Sequence, residues 1–287
     1  MLINSCRNLR SIPPLKLDLL ETFDLSYCHS LENFPIVMDG FLGKLKTLNV
    51  NSCDNLRSVP PLKLDSLETF DLTHCHSLES FPIVVDGFLG KLKTLLVEGC
   101  HNLRSIPPLK LDLLETLNLS CCYNLKSFSL VVGNSSDSSM LMLSAVNCMS
   151  LTSSCKSRLL NQELHKAGNT WFCLPRVPKI PEWFNHIYEA GLSISFWFRN
   201  KFPDIARVVS PFTWDDSHYR AVRFIINGDT FFYTDDTKPQ PNKYIYKALL
   251  ENKWNHAEVD FGFPFQNSGI HVLKEKSNMK DIQFTRE

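Results

Sequence analysis

A chain of 287 residues that is 44% hydrophobic, 11% aromatic and 21% charged can bury a sizeable core in one or two domains, and is neither disordered nor collagen-like. Thirty Lys and Arg balance thirty Asp and Glu, which removes the electrostatic footprint that binding to nucleic acid or to an anionic membrane surface requires. No apolar run reaches bilayer length and MLINSCRNLR lacks the apolar middle of a signal peptide, so the expectation is a cytoplasmic protein, with the nucleus as a second compartment, whose ten cysteines are reduced thiols.

Residues 4–50 recur almost letter for letter at 51–97, and a shortened third copy runs from 98 to about 128, an internal period of 47. Each copy divides again, because Cys6, Cys28, Cys53, Cys75, Cys100 and Cys122 are separated by 22, 25, 22, 25 and 22 residues. Units of that length are the signature of leucine-rich repeats. Their shared pattern, L-x-x-L-x-L-x-x-C-x-x-L, is filled by Leu45, Leu48, Val50, Cys53 and Leu56, and again by Leu67, Phe70, Leu72, Cys75 and Leu78. The L-x-L core alternates as a short strand must, and the Cys and Leu after it turn the chain under the strand, where a small buried group fits. Pro13-Pro14, Pro60-Pro61 and Pro107-Pro108 deny the return path both a ladder and a helix, so short parallel strands with an irregular convex side are expected. The chain opens inside a repeat, with Leu2-Ile3-Asn4-Ser5-Cys6 aligned on Asn49 to Cys53, which suggests the carboxy-terminal part of a longer design.

Two sharper readings of the repeats give way to plainer ones. Cys28-His29, His74-Cys75-His76 and Cys100-His101 lack the paired spacing of a zinc site, so the cysteines read as an inward column. Gly40-x-x-Gly43-Lys44 and Gly87-x-x-Gly90-Lys91 miss the phosphate-loop spacing and read as turns, and no cofactor is expected. Outward positions form columns: Thr22, Thr47, Thr69, Thr94, Thr116; then Asp24, Asn49, Asp71, Leu96, Asn118; then Ser26, Asn51, Thr73, Glu98, Ser120. A flanking column alternates in sign through Glu21, Lys46, Glu68, Lys93 and Glu115. Leu96, Tyr27 and His74 break the pattern of the other copies, and together with Asp24, Asn49, Asp71, Glu98 and Asn118 they are the concave-face candidates for partner binding.

The pattern fades through the polar stretch 133–139, and one decayed unit follows with Met140, Leu143, Ala145, Cys148 and Leu151 in register. SSCKSRLLNQELHKAG then predicts a closing helix capped by Ser153 or Ser154, with Leu159, Leu160 and Leu164 on one side and Lys166 and Gly168 at its end. From Trp171 the texture becomes aromatic alternation: Leu192, Ile194, Phe196 and Phe198 on one strand face, and Val259, Phe261, Phe263 and Phe265 on another. Asn227-Gly228 between apolar segments predicts a hairpin. The division expected is 1–168, repeats with a closing helix, and 169–287, an all-β sandwich of jelly-roll or immunoglobulin-like type. Its binding candidates are Arg199 and Lys201 in the loop 199–204, and Asp235 and Asp236 in the polar segment 235–243.

The L-x-L-x-x-C-x-x-L-x-x-F/I-P repeats, the closing NCMSLTSSCKSRLLNQELHKAG, and above all Ile180-Pro181-Glu182-Trp183-Phe184 followed by the Ser193–Phe196 strand, resemble the carboxy-terminal part of plant TIR-type nucleotide-binding leucine-rich-repeat immune receptors. The resemblance implies repeats followed by a post-repeat jelly-roll/Ig-like domain, with Trp183 in its core. It also implies recognition of a pathogen effector, and restraint of the receptor's own TIR and nucleotide-binding domains. Neither of those domains lies in this chain, so the family's NAD-cleaving activity and nucleotide switch attach to no residue here. The β-domain is also shorter than usual between Ser193–Phe196 and Trp254. A non-catalytic protein-binding module follows. His165, Cys173 and His186 are the nearest approach to a Cys/His pair, and no elbow, triad order or metal spacing accompanies them. A repeat scaffold for a host protein and a non-functional truncated receptor product are the alternatives.

Overall fold

The computed structural model describes residues 1–15, 19–37, 42–82, 89–110, 113–131, 142–165, 170–177, 179–203, 205–211, 223–232, 249–251, 253–273 and 277–284. The chain divides into two compact units, Met1–Leu159 and Leu160–Glu287. It is mostly β, with a single short α-helix among the described residues.

Among its described residues the first unit carries eight short strands: β1 (Thr22–Asp24), β2 (Thr47–Asn49), β3 (Thr69–Asp71), β4 (Thr94–Leu96), β5 (Leu109–Lys110), β6 (Thr116–Asn118), β7 (Leu130–Val131) and β8 (Met142–Ser144). Six of them stack in parallel in the order β1-β2-β3-β4-β6-β8 and in unbroken register, Phe23 against Leu48, Phe70, Leu95, Leu117 and Leu143 in turn. This is a parallel β-solenoid. Each of those central side chains is buried, as are Leu25, Val50, Leu72, Val97, Leu119 and Ala145 two positions on. Each fully buried Leu or Phe contributes roughly 1.5–3 kcal/mol, and the repeat places two such rows in every rung. The strands stop after three residues because the chain then enters a left-handed residue that points it away from the ladder. Ser5, Tyr27, Ser52, His74, Gly99, Cys121 and Asn147 occupy that position with φ of 60°, 60°, 57°, 58°, 72°, 60° and 61°.

The return path is irregular, joined by isolated parallel bridges Leu15–Val37, Asn33–Ser58 and Ser105–Ser127 and by the pair β5–β7. Gly43-Lys44 and Gly90-Lys91 lie in turns, while Gly40, Gly87 and the polar stretch 133–139 fall outside the described residues. The helix α1 spans Ser153–Leu159 and is shorter than its sequence pattern. Its cap is Thr152, one residue before the serines expected, since Thr152 Oγ1 accepts from the N–H of Cys155 at 3.3 Å. A separate 3₁₀ turn at Gln162–His165 replaces the continuation, and Lys166 and Gly168 fall outside the described residues.

The second unit contains β9 (Thr170–Cys173), β10 (His186–Tyr188), β11 (Gly191–Arg199), β12 (Ile205–Pro211), β13 (Arg223–Ile226), β14 (Asp229–Phe232), β15 (Trp254–Val272) and β16 (Ile282–Phe284). The long β15 organises it. Its first part pairs antiparallel with β11 and β13, its last part with β12 and β10, while β9 pairs with β12 in parallel and β16 with β11. Asn227-Gly228 turns β13 into β14 with φ of 52° and 94°, the left-handed pair that the hairpin signal requires. Ile194, Phe196 and Phe198 are buried on one face of β11, but Leu192 is 60% exposed. The alternation fails there because the register against β15 shifts between Gly191 and Ser193, which turns Leu192 outward. Val259 and Phe265 are buried as expected, and the side chains of Phe261 and Phe263 lie outside those described.

Trp183 is half-buried in an aromatic cluster. It stacks on Phe184 at 3.9 Å between ring centroids, faces His165 and His271 at 5.3 and 5.1 Å, and donates its indole N–H to the Leu160 carbonyl at 3.1 Å. Gly269 in β15 permits the close approach beneath it, since a Cβ there would come within 2.7 Å of Ile180 and 2.9 Å of Phe184.

Candidate recognition surface

Strands β1, β2, β3 and β6 are followed by the same turn, and its parts decide which side chains remain available. The third strand residue folds its side-chain oxygen back onto the backbone. Asp24 accepts from the N–H of Ser26, Asn49 from Asn51, Asp71 from Thr73 and Asn118 from Ser120, at 2.9, 3.0, 2.8 and 3.0 Å. These are Asx turns, and they prepare the left-handed residue that follows. The cysteine after that residue then points inward and donates its S–H to a carbonyl of the preceding rung. The pairs are Cys28 to Ile3, Cys53 to Leu25, Cys75 to Val50, Cys100 to Leu72, Cys122 to Val97 and Cys148 to Leu119, at 2.8–3.2 Å. Burial pushes the Cys28 thiol up from its ordinary range and that of Cys53 up to about 12, and holds Cys75, Cys100 and Cys148 well above theirs.

Four of the candidate binding residues, Asp24, Asn49, Asp71 and Asn118, are therefore engaged in shaping the turn. Asp24 also accepts from the Asn4 amide at 3.3 Å, and Asn118 donates to Glu98 at 2.8 Å. Asn118 is buried with its neighbours Thr116 and Ser120, so the expectation of an open position fails at that rung. Leu96 is half-buried at an equivalent position and, like Leu2 on the first rung, has no oxygen to return to its turn. Tyr27 and His74 occupy the left-handed position and are exposed, Tyr27 by 50%. The flanking charges pair as their alternation predicts, Lys46 with Glu21 at 3.0 Å and Lys93 with Glu68 at 3.1 Å, both solvent-exposed and worth little individually.

One further row was not legible as a surface. The residue after each buried cysteine turns outward, which places His29, Asp54, His76, His101 and Tyr123 on successive rungs. His29 Nδ1 donates to Asp54 at 2.8 Å, and His76 Nδ1 donates to the Gly99 carbonyl at 2.9 Å. His76 stacks on His101 at 4.5 Å, and His101 on Tyr123 at 4.8 Å. His74 joins the strip at 5.6 Å from His76, over Gly99, where a Cβ would come within 2.5 Å of its imidazole. The signal was the Cys-His dipeptides, which spacing arguments address only as metal ligands. Among the described residues, no group of three or more His, Cys, Asp or Glu is arranged to hold a metal ion.

In the second unit Arg199 is committed to its own fold. Its guanidinium donates to Asp281, which holds that carboxyl below the usual range, and it lies 5.3 Å from the Trp254 ring. Lys201 is exposed in a tight turn, its N–H donating to the Arg199 carbonyl at 2.8 Å. Asp235 and Asp236 fall outside the described residues. Cys173 is buried, and desolvation raises its thiol far from the thiolate that a nucleophile needs. Among the described residues no helix is long and apolar enough to cross a membrane. No family model matches the chain, and it matches neither a curated protein nor a solved structure.

Proposed function

We propose that this chain is a non-catalytic protein-recognition module of an intracellular plant immune receptor, and that its ligand is a pathogen effector. In this reading the solenoid is of the leucine-rich-repeat type, and residues 169–287 form a post-repeat β-sandwich of jelly-roll/Ig-like type. In a full-length receptor the same surfaces restrain the TIR and nucleotide-binding domains. The observation that carries the reading is the strict register of the solenoid, which sets outward side chains in rows about 4.8 Å apart on a rigid frame. Tyr27, His74 and Leu96 stand on those rows as the apolar and aromatic groups that anchor protein interfaces.

The test is binding of the purified full chain to a panel of purified effectors from plant pathogens by biolayer interferometry, with ATP binding and NAD hydrolysis assayed on the same preparation. Saturable binding of at least one effector without NAD turnover is expected. Turnover of NAD that copurifies with the chain, or failure of the whole panel to bind, would count against the reading.

A further inference from the structure

A second contact site lies on the return side of the solenoid, away from the strand rows. The residue after each Leu of the turn, buried in every rung but the first, forms a column through Arg10, Glu32, Arg57, Glu79, Arg104 and Lys126. Backbone bonds link four of its five steps, the exception being Glu79 to Arg104: Glu32 N–H to Arg10, Arg57 N–H to Glu32, Glu79 N–H to Arg57 and Lys126 N–H to Arg104, at 3.2, 3.3, 3.2 and 2.9 Å. Charge alternates along this column as far as Arg104 and then fails, because Lys126 follows another cation. The failure is local to the third copy. The first two copies read Ser30-Leu31-Glu32 and Ser77-Leu78-Glu79, while the third reads Asn124-Leu125-Lys126. Both changes fall on one notch of about 530 Å³, lined by Glu79, Asn102, Arg104, Asn124 and Lys126.

We infer that this notch binds an acidic segment of a protein partner. Among the described residues no hydrogen bond or ion pair engages the side chains of Asn102, Arg104, Asn124 or Lys126, so two cations and two carboxamides face solvent together. Like charges on adjacent rungs repel, and a carboxylate set between them reverses that cost. Arg104 offers the planar fork that grips a carboxylate with two bonds, and Lys126 adds a compact positive charge. The two carboxamides each present a donor and an acceptor, which suits the peptide groups of an extended chain better than a bare inorganic ion. Glu79, at the other rim, accepts from an N–H of that chain and repels an acid placed out of register. The volume suits a few residues of such a segment. With a net charge of zero, long-range attraction does not gather anions over the whole surface, so the preference resides in this notch. The site stands independently of whatever the strand rows bind.

The experiment titrates the full chain into fluorescein-labelled octaglutamate at low salt and follows anisotropy, with inorganic phosphate and oligothymidylate as competitors. The variant N124S/K126E restores the residues of the first two copies, so it is expected to fold, and circular dichroism checks that it does. It should weaken octaglutamate binding at least tenfold, as should R104Q, while E79Q should tighten it about twofold. K46Q and K93Q, which remove the same charge from the strand edge, should change it less than twofold. Equal weakening by K93Q, or no saturable binding by the parent chain, overturns the site. Tighter binding of phosphate or oligothymidylate than of octaglutamate, lost in N124S/K126E, assigns the notch to a phosphate ligand and overturns the acidic segment as its occupant.

Discussion

Cys53 donates its S–H in a hydrogen bond to the main-chain carbonyl of Leu25, one rung earlier and 3.2 Å away. That carbonyl sits where the strand ends and the chain swings through the left-handed Tyr27, so the parallel ladder does not reach it. A buried carbonyl without a partner costs about 1–3 kcal/mol, and Cys53 meets that cost at Leu25, whereas Leu72, Val97 and Leu119 also accept from the main-chain N–H of Cys75, Cys100 and Cys122 at 3.2–3.3 Å. The cysteine column is therefore a polar device as well as a small apolar filling.

Native alkylation measures this directly. Cys6 is exposed, whereas Cys53, Cys75 and Cys100 are buried with raised thiols. At pH 8 the buried set should react with iodoacetamide at least about a thousandfold more slowly than Cys6, since both access and thiolate fraction are reduced. Peptide mass spectrometry showing comparable rates would remove the column from the interior.

The same thiols give a pH dependence of defined sign. Their folded-state pKa lies above the ordinary value of 9.0, near 12 for Cys53, so their contribution to stability is complete below pH 9 and is lost as pH rises toward 12. Each such thiol should lower unfolding stability by about 1.4 kcal/mol per pH unit in that window. Replacing Cys75 by Ala removes a donor to Val50 and should cost about 1–3 kcal/mol at pH 7, while flattening the alkaline loss in urea titrations.

In the second unit, Gly269→Ala forces a methyl against Ile180 and Phe184, both buried, and should destabilise by about 1–3 kcal/mol. Trp183→Ala should cost about 3–5 kcal/mol through the lost ring packing and the lost bond to Leu160. Thermal unfolding followed by near-ultraviolet circular dichroism reads both, and a Gly269→Ala midpoint equal to that of the parent would show the space beneath Phe184 to be larger than described.

The repeat period placed the first-unit strands correctly because hydrophobic spacing reports depth, and depth is what a solenoid repeats. It said nothing about which acceptor a buried thiol reaches, so the bond from Cys53 to Leu25 was invisible in it. Asp24, Asn49 and Asp71 were legible as a column but not as Asx turns, since outward-pointing and backward-folded oxygens share one sequence position. Leu192 defeated the alternation in β11 through a bulge, a local shift that period-two reasoning does not detect. The stacked strip of His76, His101 and Tyr123 required the third dimension, because its members are 22 or 25 residues apart.

Asp71 and Leu96 hold the same position on neighbouring rungs, one with a side-chain acceptor for its turn and one without. Asp71→Ala removes the acceptor for the Thr73 N–H and should cost about 1 kcal/mol of stability, read as a lower midpoint in urea.

Leu96→Asn does the opposite, supplying the missing turn acceptor while deleting an apolar group from the strand row. It should raise stability by about 0.5–1 kcal/mol. The decisive measurement is the affinity of this one variant for the first effector found to bind the chain, taken beside its urea midpoint. With Leu96 as a partner anchor, the midpoint should rise and binding should weaken at least tenfold. Unchanged affinity in a variant of raised stability would contradict the assignment of the strand rows as the recognition surface.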